Sequence, residues 1–211
     1  MISVPTKAEV WVRHLAVLLL YASAGNRTTR TSPAGTDMKQ HNAPFKPINI
    51  AVLTVSDTRT EETDTGGRTL VDALQQAGHV LHEKVILPDN KYTLRAKLSA
   101  WIDDSETDAV LVTGGTGITG RDVTPEAVLP LLDKEIDGFG ELFRWISYKD
   151  IGTSTLQSRA FAGVANGTFI FCLPGSPGAC NTAWNEIICH QLDARTRPCN
   201  MTALMPRLLE R

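Results

Sequence analysis

Apolar positions along the chain follow two alternating patterns. Ile48-Asn-Ile-Ala-Val-Leu-Thr-Val55 is β-branched and nearly continuous in apolar residues, as a strand buried on both faces would be. Beyond a polar loop, Leu70, Val71 and Leu74 take helical spacing, and Gly78 supplies a stop. Val80 to Leu87 predicts a second strand. Leu94, Leu98, Trp101 and Ile102 predict a second helix. Ala109-Val-Leu-Val112 predicts a short third strand. Pro125 suits a first helical turn and opens a helix carrying Val128, Leu129, Leu131 and Leu132.

The stretch from Asp137 to Asn166 is less regular. Leu142, Phe143, Trp145 and Ile146 take helical spacing, and Ala160 to Val164 is also read as helical. Thr168-Phe-Ile-Phe-Cys-Leu173 predicts another strand, and Pro177 to Leu192 one long final helix. Such alternation implies an α/β fold, with a mostly parallel sheet covered by helices on both faces. In sheets of this kind ligands lie beyond the carboxyl ends of the strands.

Candidate chemistry clusters directly after strands. Ser56 and Asp57 follow the first, and Asp89 follows the second. Thr113-Gly-Gly-Thr-Gly117, then Arg121 and Asp122, follow the third. Pro174-Gly175-Ser176 follows the last. Any one of these is an ordinary turn composition; four on one edge predict a site. Gly115-Thr-Gly117-Ile-Thr-Gly120 formally matches a dinucleotide fingerprint, but it follows the third strand, and Pro125 delays the helix. Only that match and fold analogy suggest a flavin- or nicotinamide-dependent oxidoreductase. The glycines Gly114, Gly115 and Gly117, with Thr116, leave backbone N–H groups to face an anion. Asp89 and Asp122 offer hard oxygen ligands for Mg²⁺ bridging phosphates, with helix capping as the competing role.

Composition changes the picture at one end. Residues 1–47 carry six Lys/Arg against two Asp/Glu; the remainder carries fifteen against twenty-one. Residues 1–46 therefore read as a leader outside a domain spanning 47–211. Leu15 to Tyr21 followed by Ala22-Ser-Ala24 fits a secretory signal at the short limit of its apolar region; a translated upstream leader, with Met38 as the natural start, is the competing and preferred reading. Overall charge is -2, which gives no footprint for nucleic acid, and no apolar run approaches the roughly 20 residues of a spanning helix. Cys172, Cys180, Cys189 and Cys199 contain no C-x-x-C, and their settings suit reduced thiols.

Taken together, Leu53-Thr-Val-Ser-Asp57, Val112 to Gly117, Asp122 to Ala127 and Leu173 to Pro177 resemble the MoaB/MogA molybdopterin-binding domain family. Gly138 to Arg144, Ile151 to Arg159 and Leu192 to Asn200 extend the resemblance over roughly Pro47 to the C-terminus. The resemblance implies a three-layer α/β/α sandwich, a cytoplasmic protein starting near Met38, and a homotrimer or homohexamer. It implies molybdenum cofactor biosynthesis, with molybdopterin and ATP as substrates and Mg²⁺ as cofactor. Asp89 and Asp122 match the acidic residues of adenylylating relatives, as catalytic and metal-binding positions. The substrate loops match Ser56, Asp57, Gly114–Gly117 and Pro174–Ser176. Relatives commonly carry Lys shortly after the last Pro-Gly pair, whereas this chain has Gly178. That departure leaves a non-catalytic molybdopterin carrier as the alternative, with Arg121 and Arg59 as substitute cations.

Overall fold

The computed structural model describes residues 43–210; the leader through residue 42, including Met38, lies outside them. Six strands form one sheet in the order β2-β1-β3-β6-β5-β4. They are β1 (Asn49–Val55), β2 (Val80–Leu87), β3 (Ala109–Thr113), β4 (Lys134–Glu135), β5 (Phe161–Ala165) and β6 (Thr168–Leu173). β2, β1, β3 and β6 pair in parallel, and β5 runs antiparallel to β6 and β4. The helices are α1 (Thr65–Gln76), α2 (Lys91–Asp103), α3 (Thr124–Val128), α4 (Asp137–Ile151), α5 (Pro177–Ala183) and α6 (Cys189–Gln191).

Strand alternation divides the core into two layers. Ile50 and Val52 of β1 face Leu70 and Leu74 of α1, Phe139 and Phe143 of α4, and Cys180 and Ala183 of α5. Ala51, Leu53 and Val55 face Leu94, Leu98 and Trp101 of α2 and Ala127 and Val128 of α3. β1 is thus covered on both sides, which explains its unbroken apolar run. The result is the expected three-layer sandwich. No helix among the described residues is long and apolar enough to cross a membrane.

Local sequence sets the helix ends. Asp64 caps α1 by accepting from the Gly67 N–H at 2.9 Å. Gly78 (φ +92°) closes it: its N–H reaches the Gln75 carbonyl, and the His79 N–H reaches that of Leu74. Asn90 caps α2 by accepting from Tyr92 and Thr93. Ser176 caps α5, with Pro177 in the first turn.

Two expectations need correction. Ala160 to Val164 is not helical: Phe161–Ala165 is β5, which turns into β6 through Asn166 (φ +45°) and Gly167 (φ +86°). Asn-Gly with two positive φ angles is a strong tight-hairpin signal, and it outweighs a short run of small apolar residues. The helix after Pro125 ends at Val128, because Pro130 turns the chain into a 3₁₀ segment, Leu129–Leu131. The final helix runs from Pro177 to Gln191 as expected, through a π turn at Trp184–Ile188 before ending as α6. The Phe45 ring lies 5.1 Å from that of His79.

Candidate functional site

The crossovers from β1 diverge. β2 lies on one side of β1 and β3 on the other, which opens a crevice above the carboxyl ends of β1 and β3. The loops after β1, β3 and β6 touch there through backbone. A Cβ added at Gly66, in the first turn of α1, would lie 2.8 Å from the Gly175 carbonyl oxygen. Gly114 (φ +104°) follows β3, and a Cβ on it would overlap the Val55 carbonyl oxygen. Only glycine satisfies both the angle and the space at position 114.

The glycine loop has one-sided polarity. Thr124 donates from its hydroxyl to the Gly114 carbonyl (2.8 Å) and from its N–H to that of Gly115 (3.0 Å). Arg159 donates from its N–H to the Thr116 carbonyl (3.0 Å) and from Nε to that of Gly117 (2.7 Å). Four consecutive carbonyls are thereby taken up by the protein. The N–H groups of Gly115 and Thr116 have no acceptor among the described residues. A backbone held this way presents donors to an anion. Arg159 also donates to the Asp122 carbonyl and pairs with Glu126. Sequence reading gave Arg159 no role in the site, because nothing in its spacing shows that it anchors a loop 42 residues away.

Asp57, Asp89, Arg121 and Asp122 come together over this loop. Asp57 accepts from Arg121 Nε at 3.0 Å and pairs with its terminal nitrogen. Its other oxygen accepts from the Asp89 N–H at 3.2 Å. Those Arg121 hydrogen bonds hold the Asp57 carboxyl below its usual range against burial. Burial pushes the Asp89 carboxyl up, and the charge of Asp57 adds to that; Arg121 opposes and Asp122 contributes. Asp89 does not cap α2, because Asn90 does. Asp122 accepts from the Thr119 N–H (2.7 Å) and hydroxyl (2.6 Å). Burial would raise its pKa, but those bonds, with the Gly117 N–H and Arg159, bring it below the ordinary value.

The remaining loop residues hold the frame. Ser56 Oγ accepts from the N–H groups of Thr58 and Arg59, both at 3.2 Å. Ser176 Oγ accepts from Ala179 at 3.2 Å. Each hydroxyl keeps its hydrogen to donate. The Pro174 carbonyl accepts from the Thr113 hydroxyl at 3.1 Å. Beneath it, burial pushes the Cys180 thiol up to about 11, so it stays neutral. All four cysteines are free, with Cys172 and Cys180 buried. Beyond Ser176, Gly178 faces open space.

No group of three or more His, Cys, Asp or Glu among the described residues is placed to hold a metal ion. Asp89 and Asp122 border the glycine loop at Gly115 and Gly117, and one or two carboxylates so placed fit Mg²⁺ arriving on phosphate oxygens.

Comparison with known proteins agrees with this architecture. Residues 51–194 match the family model described as "Probable molybdopterin binding domain". The chain is 58% identical over 163 residues to molybdenum cofactor biosynthesis protein B of Escherichia coli (strain K12), covering 77% of this chain and 96% of that protein. A crystal structure of a molybdenum cofactor biosynthesis protein B shares 47% identity at a TM-score of 0.68, covering 70% of this chain and 92% of that one. The tungsten cofactor synthesizing protein MoaB from Pyrococcus furiosus shares 38% at 0.62, covering 69% and 92%. The chain belongs to the MoaB/MogA molybdopterin-binding domain family, whose place is molybdenum cofactor biosynthesis.

Proposed function

We propose that the protein adenylylates molybdopterin with Mg-ATP at the crevice above β1 and β3. The observation that carries this reading is an anion-facing glycine loop bordered by the carboxylates of Asp89, beside Gly115, and Asp122, beside Gly117. The phosphate of molybdopterin attacks the α-phosphorus of ATP, and pyrophosphate leaves. Such transfer asks the protein mainly for positioning and charge neutralisation.

The Gly115 and Thr116 N–H groups hold a phosphate oxygen. Ser56 and Ser176 donate their hydroxyl hydrogens to substrate. Asp89 and Asp122 would hold Mg²⁺, which supplies neutralisation of the charge developing on the phosphates. Thr119 fixes the Asp122 carboxylate, so its orientation is set before substrate arrives. The test is to mix purified protein with molybdopterin and Mg-ATP and look for adenylylated pterin by mass spectrometry. Pterin bound tightly but left unmodified would reject the enzyme in favour of a carrier.

Gly178 favours that second reading, because the first turn of α5 carries no cation there. With open space at Gly178, Gly178→Lys is expected to tighten molybdopterin binding several-fold through its charge near a phosphate. Titration calorimetry measures this, and a weaker Kd would contradict the placement of the loop.

We also propose a homotrimer or homohexamer. The outer face of α4 exposes Leu142, Trp145, Tyr148 and Ile151, with Trp145 64% exposed, and Leu156 beyond it is 84% exposed. An apolar stripe of this kind is characteristic of a protein interface. Trp145→Glu is expected to lower the mass seen by sedimentation velocity towards a monomer. An unchanged mass would move the interface elsewhere.

A further inference from the structure

The cations around the crevice are not equivalent. Lys84 has a side chain only 15% exposed and is paired with both Glu61 and Asp64. Arg159, 33% exposed, divides its donors among the Gly117 carbonyl, the Asp122 carbonyl and Glu126. Arg59 turns back to the Thr63 carbonyl within its own loop. Arg121 is 69% exposed, and the bonds described for it go to one oxygen of one carboxylate, Asp57. The two stand on different loops, after β3 and after β1, so their pair spans the crevice between them.

We infer that Arg121 grips a phosphate of the substrate in this crevice, and that Asp57 holds it in the free protein until that anion takes it over. This rests on the adenylyltransferase reading above. An exposed ion pair is weak, since water competes for both partners. A guanidinium fork on phosphate makes two charge-assisted bonds and is strong. The exchange therefore runs towards the ligand. The Arg121 side chain lies largely in solvent, so it can be redirected without disturbing packed neighbours. Asp57 stays tied to the Asp89 N–H through its other oxygen, so the loop after β1 keeps its anchor when Arg121 leaves.

The two members of the pair then have opposite effects on binding. Calorimetric titration of the full chain with pyrophosphate, and separately with ATP, tests this. Arg121→Gln is expected to weaken both by about tenfold or more, and Arg121→Lys to recover part of the loss. Asp57→Asn removes the negative charge that competes for Arg121, leaving only a neutral amide oxygen, and is expected to tighten pyrophosphate binding several-fold. A merely structural bridge would weaken binding from either side. Unchanged affinity in Arg121→Gln, or weakened affinity in Asp57→Asn, overturns the inference. Wild-type protein that binds neither probe overturns both the inference and the adenylyltransferase reading. Arg121-dependent binding without adenylylated pterin in the same sample rejects the enzyme alone and leaves Arg121 as the phosphate ligand of a carrier.

Discussion

Asp122→Asn is expected to lower the adenylylation rate by about a hundredfold or more, the scale of losing one preorganised electrostatic group at a phosphoryl-type transition state. Its fold is expected to survive. One carboxylate oxygen of Asp122 receives both Thr119 bonds, and the asparagine amide oxygen can receive the same two. The loop keeps its shape while the negative charge disappears. Mass spectrometry of the adenylylated pterin reads the rate, and a thermal melt reads the fold. Unchanged turnover would remove Asp122 from the chemistry; a collapsed melt would show that the charge, rather than the acceptor, holds the loop.

The second large effect concerns stability. Asp64 has a side chain 2% exposed and accepts from the Gly67 N–H, the Thr54 hydroxyl (2.9 Å) and Lys84 Nζ (2.9 Å). Asp64→Ala removes the α1 cap and leaves Lys84 half-committed at the sheet edge. Breaking a buried pair from one side costs about 3–5 kcal/mol. Urea unfolding is expected to show that loss, and a change under 1 kcal/mol would mean that water replaces the carboxylate. The pH dependence follows from the same pair. Burial pushes the Asp64 carboxyl up, but Lys84, Gly67 and Thr54 outweigh it and leave the pKa lowered. Its contribution is therefore present above the unfolded carboxyl pKa and is lost as pH falls through the folded one. Burial pushes Lys84 down, yet Glu61 and Asp64 leave its pKa raised. That contribution is complete below the unfolded lysine pKa and fades as pH rises through the folded one. Asp64→Ala is expected to flatten the acid limb of the stability curve.

Much of this fold is legible in the sequence because burial leaves a periodic trace. β1, β3 and β6 read as apolar runs, and they are covered on both faces. The site edge is legible for a related reason: residues that cannot continue a strand collect where strands end. The misreading at Phe161–Ala165 has an equally physical origin. Ala162, Gly163 and Ala165 are too small to declare a period, and the information lay in Asn166-Gly167 instead. The short β4 left no trace, because two residues, Lys134 and Glu135, are too few to alternate. Which acidic residues cap helices was also hidden. Asp89 and Asn90 are adjacent and both suited to a cap, and only the backbone turn assigns that duty to Asn90.

The two-residue turn at Asn166-Gly167 bears on the order in which the chain assembles. The parallel strands must wait for crossovers long enough to hold a helix, whereas β5 and β6 can zip together locally, on a scale of about 1–10 μs for a hairpin. β6 can then reach β3 with its register already set, Phe169 and Phe171 committed to one layer and Ile170 and Cys172 to the other. A slip of one residue would exchange those faces. The sheet's antiparallel corner is thus the pairing with the shortest loop to close, and it carries the face assignment of β6 into the parallel centre.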